Sequence, residues 1–397
     1  MNDLTVHKDR FIIGLTGNIG TGKSLVRKML QHLGAYGIDG DALAQEALKP
    51  DGPASEEIIR HFGKYVLNDS GELDRAKIAH VVFNDKNSLV DLEKILHPLV
   101  ITAAENLISH ARLPIIVIEA IKLLESDLAG LCDSIWVVDA REEIIFDRLA
   151  SDRGMDRGQI IERLSNQSPS QDKQKKADVV IENNWDPLTT WQLVQKSWKN
   201  MERTNNAFSD FLDKTTDLIT VFKEKIVLPD TNTFSEMGKY FSLEKGSSHP
   251  FVWLRNEDIH QYTVNLQDQQ DLVRMALTLF IFFTPSAEES ETIAVWDLSQ
   301  FELTLTGYSL PIAPDLEFSF QSLMKDIEVF CHFHLVNHIN ILLNDLLKER
   351  TTTFRKLGYN LVTVGEATNP QWNKAGYNLY QKNISEKFDL FSGKKSG

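Results

Sequence analysis

Apolar residues fall into two patterns along the first half of this chain. Short, nearly continuous apolar runs occur at Phe11–Thr16 (FIIGLT), Pro114–Glu119 (PIIVIE), Ser134–Asp139 (SIWVVD) and Ala177–Glu182 (ADVVIE), with a shorter one at Ala35–Asp39. Between them lie segments with apolar residues every three or four positions, Lys23–Leu33 and the long stretch Ser55–His110. A strand that is apolar without alternation is covered on both faces, and strands separated by helices belong to a parallel sheet. The pattern predicts an α/β domain of five buried strands with helices on both sides.

The character changes in the low 200s. Thr204–Phe211 is polar and turn-rich, and Asp230–Ser235 and Glu244–Pro250 read as loops. Farther on, the spacing predicts strands at Ile293–Asp297, Phe301–Thr306 and Asn360–Val364, and an apolar helix over Phe318–Arg350. In that helix His334 and His338 share a face, but no carboxylate joins them in a zinc-like spacing, so no metal site is expected there. The expected organisation is a first domain over 1–204, a linker over 205–233 and a separate C-terminal α+β domain over 234–397.

Composition narrows the function classes. A chain of 397 residues fits two domains, possible at roughly 100–200 residues each. A net charge of −14 argues against nucleic-acid binding or docking on an anionic membrane. Apolar runs such as Met275–Phe283 fall far short of the roughly 18 residues that cross a bilayer. Cys132 and Cys331 stand far apart with no CxxC partner, which fits two free thiols in a reducing compartment. The polar N-terminus has no apolar signal core, so the expectation is a cytoplasmic protein.

The strongest chemical signal is Gly17-Asn18-Ile19-Gly20-Thr21-Gly22-Lys23-Ser24, a complete G-x-x-x-x-G-K-[ST] motif between the first strand and the first helix. Its glycines let backbone N–H groups close around a phosphate at a helix N-terminus. Lys23 is placed to reach the β- and γ-phosphates, and Ser24 to ligate Mg²⁺. The second strand ends in Gly37-Ile38-Asp39-Gly40-Asp41, at the sheet edge where ligands lie in open α/β folds. Two carboxylates there suit proton removal from an acceptor hydroxyl and water-mediated support of magnesium, while a helix N-cap is the structural alternative.

These elements together resemble the dephospho-CoA kinase family. LTGNIGTGKS is similar to the family's phosphate loop and GIDGD to its V-I-D-A-D strand end. Gly71-Glu72-Leu73-Asp74-Arg75, Val82-Phe83 and Leu96-His97-Pro98 resemble its G-x-L-D-R, V-F and H-P elements, and Gln167 with Ala177–Asn183 its distal Q and A-D-x-V-I-x-N. The resemblance covers residues 11–200 and implies a P-loop kinase three-layer fold with a parallel sheet, a helical acceptor-binding region and a lid. It implies transfer of the γ-phosphate of ATP, with Mg²⁺, to the 3′-hydroxyl of dephospho-CoA.

The resemblance assigns Asp41 as catalytic base, Lys23 and Arg148 to the transferred phosphate, and Arg153 more loosely to the lid, Arg141–Lys176. Asp39, His97, Lys122 and Glu125 fall on the acceptor side. The chain departs from the family after the third strand. A P-L-L-x-E run is replaced by Ala120-Ile121-Lys122-Leu123-Leu124-Glu125, which loses the proline and gains Lys122, while Glu119 is a further charge. Two other classes fit the phosphate loop: another small-molecule or nucleoside kinase, and a nucleotide-binding regulatory protein acting through its C-terminal half.

The end of the chain, Phe354–Tyr359 and Tyr377–Lys382, faintly resembles the tail of the N-acetyltransferase (GNAT) fold. The pyrophosphate-binding loop of that fold is missing, so the resemblance implies a degenerate, non-catalytic relative that docks on the kinase or on a partner.

Overall fold

The computed structural model describes residues 9–50, 52–223, 252–254, 259–261, 280–284, 292–298, 302–309, 324, 327–344, 355–356, 358–362, 377–384 and 390–393. The loops expected at Asp230–Ser235 and Glu244–Pro250, and the later part of the expected linker, lie outside the described residues.

The five apolar runs form strands β1 (Phe11–Thr16), β2 (Tyr36–Asp39), β3 (Ile115–Glu119), β4 (Ser134–Asp139) and β5 (Val179–Glu182). They make one parallel sheet in the order β2-β3-β1-β4-β5. Every residue of β1 and β3 is buried, as their unbroken apolar character requires. Alternate residues serve opposite faces. Phe11, Ile13, Leu15, Ile115 and Val117 share a core cluster with Val26, Met29 and Leu30 of α1 (Lys23–His32) and with Trp191, Val194 and Trp198 of α9 (Pro187–Thr204). Ile12, Ile116 and Ile118 join a cluster with Val100, Ala103, Ala104, Leu107 and Ile108 of α5 (Lys86–His110).

The helical stretch between β2 and β3 is α2 (Gly40–Ala47), α3 (Ser55–Phe62), α4 (Arg75–Asn84) and α5, with a 3₁₀ turn at Lys64–Val66. Asp39, Asp74 and Asp85 each accept backbone N–H bonds in the first turn of α2, α4 and α5. Pro98 lies inside α5 without ending it. Prolines are tolerated inside a helix where packing holds both flanks, and α5 is held by α2, α3 and α4. After β4 the charged segment Arg141–Lys176 folds as α6 (Glu142–Arg153), α7 (Arg157–Ser165) and the short α8 (Ser170–Gln174).

Residues 206–223, assigned by the sequence pattern to the linker, form α10 (Asn206–Lys223). Asn205 caps its start by accepting from Phe208 N at 3.1 Å. Phe208 is fully buried, edge-on to Phe11 at 5.0 Å and to Trp198 at 4.9 Å. The polar residues that suggested a turn are the cap and outer face of a helix that closes one side of the sheet.

In the C-terminal half, strands β6 (Val252–Leu254), β7 (Ile259–Gln261), β8 (Phe280–Thr284), β9 (Thr292–Leu298), β10 (Glu302–Ser309), β11 (His338–Asn344), β12 (Asn360–Val362) and β13 (Tyr377–Asn383) form a second, mixed sheet. The strands expected near Ile293, Phe301 and Asn360 are β9, β10 and β12. The helix expected over Phe318–Arg350 is not one element: residues 327–333 are helical, but 338–344 form β11. Leu335 adopts φ 51°, which stops the helix, and Ile339, Asn340 and Ile341 are all buried in the strand that follows. A continuous apolar run is compatible with either element, and strand pairing on both sides of β11 decides it. His334 and His338 therefore share no helix face; His334 is buried at the helix end and His338 hydrogen-bonds Asn383 Oδ1 at 2.9 Å.

The core on the α5 side runs on into this half. Leu303, Ile327, Phe330, Ile339 and Tyr380 belong to the same buried cluster as Ile12, Leu107 and Ile116. Near the end of the chain, Asn106 of α5 donates to Leu390 O at 2.8 Å, and Phe391 packs beside α5 against two core clusters.

Candidate active site

The site lies beyond the carboxyl ends of the parallel strands, where the chain leaves the sheet at Thr16, Asp39, Glu119 and Asp139. The loop Gly17–Gly22 connects β1 to α1. It needs glycine at Gly17 and Gly22: both have positive φ, and a Cβ would meet Val138 O at 2.2 Å and Asn183 Nδ2 at 2.1 Å. Asn18 O accepts from Thr21 N, from Thr21 Oγ1 at 2.8 Å and from Lys23 Nζ at 3.2 Å, which folds the loop on itself. From outside, Gln167 Oε1 accepts from Ile19 N at 2.9 Å, and Asn183 Nδ2 donates to Thr21 O at 2.8 Å. Asn183 is 1% exposed and also accepts from Thr190 Oγ1 at 2.7 Å. Gln167 and Asn183 thus act on the phosphate loop, although the sequence marks them only as motif members.

Lys23 opens α1 and is buried. Burial lowers its pKa from the ordinary 10.5, Glu119 and Asp41 pull it back up, and Lys173 and Arg153 push it further down. Those four groups are therefore its electrostatic neighbours. Arg153 terminates α6, is exposed, and acts on Lys23 electrostatically. Arg148, one turn earlier, donates to Asn183 O at 3.0 Å and to Thr21 O at 3.4 Å. The structure brings Arg148 to the phosphate loop through its bond to Thr21 O.

Asp39 and Asp41 stand at the head of α2 but do different work. Asp39 is the N-cap, accepting from Ala42 N at 2.9 Å, and its other oxygen pairs with Arg27 at 3.2 Å. The cap reading left open by the sequence thus falls to Asp39. Asp41 lies in the first turn, open to solvent. The protein crowded around it raises its carboxyl from 3.8 to about 6; Asp39 adds to the rise and Lys23 opposes it. A carboxylate with that affinity for a proton suits a general base near neutral pH.

Glu119 is the residue that sequence reasoning left out of the site. It ends β3, is 4% exposed, accepts from Ser24 Oγ at 2.8 Å and pairs with Arg27 Nε at 2.6 Å. Arg27 is itself buried between Glu119 and Asp39. The available signal was its position: a carboxylate closing the apolar run PIIVIE points at the same edge as Asp39. Lys173, also missed, is 2% exposed; its Nζ donates to Ile121 O at 2.8 Å and lies 3.9 Å from Glu125. Burial lowers its pKa.

On the acceptor side, α5 packs against α2. His97 is half-buried on α5. Lys122, in the turn after β3, forms an ion pair with Glu93 of α5. Glu125 accepts from Ser168 Oγ at 2.6 Å, linking that turn to the segment between α7 and α8. The lid is also anchored at its foot, where Asp139 accepts from Ser170 Oγ at 2.5 Å and Gln174 Nε2 at 2.8 Å. Among the described residues no group of three or more His, Cys, Asp or Glu is placed to hold a metal unaided.

The family model for dephospho-CoA kinase matches residues 11–187. A curated dephospho-CoA kinase from Carboxydothermus hydrogenoformans is 37% identical over 200 residues, which span 97% of that protein and 48% of this chain. The chain belongs to the dephospho-CoA kinase family. A solved protein from Thermus thermophilus aligns at 32% identity and a TM-score of 0.43, over 47% of this chain and 95% of that one. A chimeric spermidine N-acetyltransferase from Vibrio cholerae aligns at 8% identity and a TM-score of 0.28, over 40% of this chain and 95% of that one. The acetyltransferase likeness is too slight to assign an activity to the C-terminal half. The dephospho-CoA kinase family match covers Gly17–Ser24, Asp39, Asp41, Glu119, Arg148, Lys173 and Asn183.

Proposed function

We propose that the protein transfers the γ-phosphoryl group of ATP to the 3′-hydroxyl of dephospho-CoA, giving coenzyme A and ADP, the final step of coenzyme A synthesis. The observation that carries this reading is the position of Asp41. In a chain of the dephospho-CoA kinase family, a solvent-accessible carboxylate with a raised pKa stands within electrostatic reach of the phosphate-loop lysine.

The mechanism follows from the geometry. The glycine loop and the N-terminus of α1 hold the ATP phosphates through backbone N–H groups. Asp41 takes the proton of the acceptor hydroxyl; the oxygen forms its bond to the γ-phosphorus as the bond to ADP breaks. Lys23 is positioned at the β- and γ-phosphates, and its partial desolvation strengthens its pull on the charge that develops there. Arg148 and Arg153 bring two more cations from the lid. Mg²⁺ would supply divalent charge stabilisation across the transferring phosphate. Ser24 and Glu119 fit it: both are hard oxygen donors, adjacent at the loop, and such sites take few protein ligands beside phosphates and water. Arg27 holds Glu119 and Asp39 in place while neutralising their charge.

His97, Lys122 and Glu125 are assigned to the acceptor side of the cleft, which α5 and the turn after β3 enclose. Residues 1–204 with α10 form the catalytic unit, and residues 234–397 a second domain that buttresses α5. A cytoplasmic setting agrees with the free thiols of Cys132 and Cys331, the first pushed up to about 12 by burial. No helix among the described residues is long and apolar enough to cross a membrane.

The test is ADP release by the full-length protein with Mg-ATP, with and without dephospho-CoA, with coenzyme A identified by mass. ADP and coenzyme A formed together, and only with the acceptor, are expected. ATP binding with no coenzyme A formed overturns the reading and directs the search to another acceptor.

A further inference from the structure

Dephospho-CoA carries its negative charge in a pyrophosphate, close in the molecule to the ribose hydroxyl that reacts. The cleft it enters mixes charges: Asp39, Asp41 and Glu119 lie among Lys23, Arg27 and Lys173. A pyrophosphate needs a cation that the site's own carboxylates do not hold tightly. Arg27 is held between two carboxylates, Lys173 is buried against Ile121 O, Lys23 and Arg148 bond to the phosphate loop, and Arg153 stands on the ATP side at the end of α6.

Lys122 differs. Its side chain is 40% exposed, and its partner Glu93 is 27% exposed. An ion pair open to water is weak and exchanges readily. Lys122 lies three residues beyond Glu119, close enough to Lys173 to influence it, and it reaches across to the acceptor helix α5. A carboxylate on an ammonium group occupies the place that a phosphate oxygen would take. We propose that Lys122 is a specificity-determining residue for the acceptor: it leaves Glu93 and binds the pyrophosphate of dephospho-CoA when the substrate enters. This rests on the kinase reading above and adds the group that meets the acceptor's pyrophosphate. Glu93 then holds Lys122 in the empty cleft and competes with the substrate for it.

Competition sets the test, because the two partners should respond in opposite directions. The readout is the KM for dephospho-CoA at saturating ATP, with kcat and ATP affinity recorded for each variant. Lys122→Leu should raise that KM about tenfold, the loss of one charge-assisted contact, and Lys122→Arg should restore most of it. Glu93→Gln should lower the KM, by about threefold, because it releases Lys122 without removing it. If Lys122→Leu and Glu93→Gln both raise the KM, the pair is a structural strut and the proposal fails. It also fails if neither moves it. If Lys122→Leu loses ATP binding and therefore its fold, Glu93→Gln decides alone, and a raised or unchanged KM overturns the proposal. Wild-type protein that phosphorylates no dephospho-CoA overturns the kinase reading itself, and the pairing with it.

Discussion

The Ser24 hydroxyl donates to Glu119 Oε1 at 2.8 Å, tying the phosphate loop to the end of β3 across 95 positions of sequence. The same carboxylate holds Arg27, and through it Asp39. One buried ion cluster thus fixes the relative placement of the phosphate loop and of α2, which bears Asp41.

Glu119→Gln should separate those roles. The amide still accepts from Ser24 but no longer balances Arg27 or supports a cation. We expect kcat to fall on the order of 10²–10³-fold, the scale for removing one preorganised electrostatic group. Glu119→Ala should add a loss of stability, about 3–5 kcal/mol for breaking a buried pair, read as a lowered midpoint in denaturant. Near-normal kcat in Glu119→Gln would remove Glu119 from the reaction and leave it a scaffold.

Asp41 carries the pH dependence. With its carboxyl at about 6, the protonated form accumulates below that pH and cannot take the acceptor proton. The rate should therefore fall as pH drops through about 6. Asp41→Asn should cut kcat by about 10²–10⁴-fold, keep ATP binding, and abolish that acidic limb in the residual rate. Stability moves the other way. The folded pKa is raised above the unfolded 3.8, so the folded state holds the proton longer, and wild-type stability declines as pH rises from about 4 to about 6. The variant should lack this decline; parallel melting curves against pH check it.

Asn183→Ala should weaken ATP binding from outside the pocket. The change removes the donor to Thr21 O and the acceptor of the buried Thr190 hydroxyl, which keeps only its longer bond to Asp186 O at 3.3 Å. A buried polar group left without its partner costs about 1–3 kcal/mol. The expected result is a raised KM for ATP with a smaller effect on the KM for dephospho-CoA. Equal effects on both would mean general unfolding rather than a loosened loop.

What the sequence made legible is what is local. The phosphate loop, the Asp39–Asp41 pair and the strand before each are written in consecutive residues, and their geometry follows from strand–loop–helix continuity. Arg148 was readable through the family motif. Glu119 was not, because its importance lies in Ser24 and Arg27, residues brought to it only by the β1–β3 pairing. Lys173 was hidden for the same reason: on a five-residue helix within a charged lid, nothing marks it as buried until Ile121 O and Glu125 are found beside it. β11 failed for a different reason. An apolar run buried on both faces has no period, and only its pairing with β10 and β13 distinguishes strand from helix.

The boundary near residue 204 yields the sharpest structural prediction. A fragment ending there loses α10, and with it the Phe208 ring that covers Phe11 and Trp198. A fragment ending at residue 223 keeps that face but still uncovers the other. Ile12, Leu107, Leu113 and Ile116 share their cluster with Leu303, Phe330 and Ile339, and the Asn106 contact to Leu390 is lost. Burying apolar side chains of this size contributes about 1.5–3 kcal/mol each, which is large against a total stability of about 5–15 kcal/mol. The shorter fragment should aggregate, and the longer one should be soluble at best with a lowered melting temperature and a raised KM for the acceptor, because α5 has lost its support. Phe208→Ala in the full chain should reproduce part of the first defect, at about 3–5 kcal/mol for a buried phenylalanine. Size-exclusion chromatography, thermal melts and acceptor kinetics on the three proteins check this. A soluble 1–204 fragment with full activity would show instead that the second half is an appendage and that the shared core contributes nothing to the kinase.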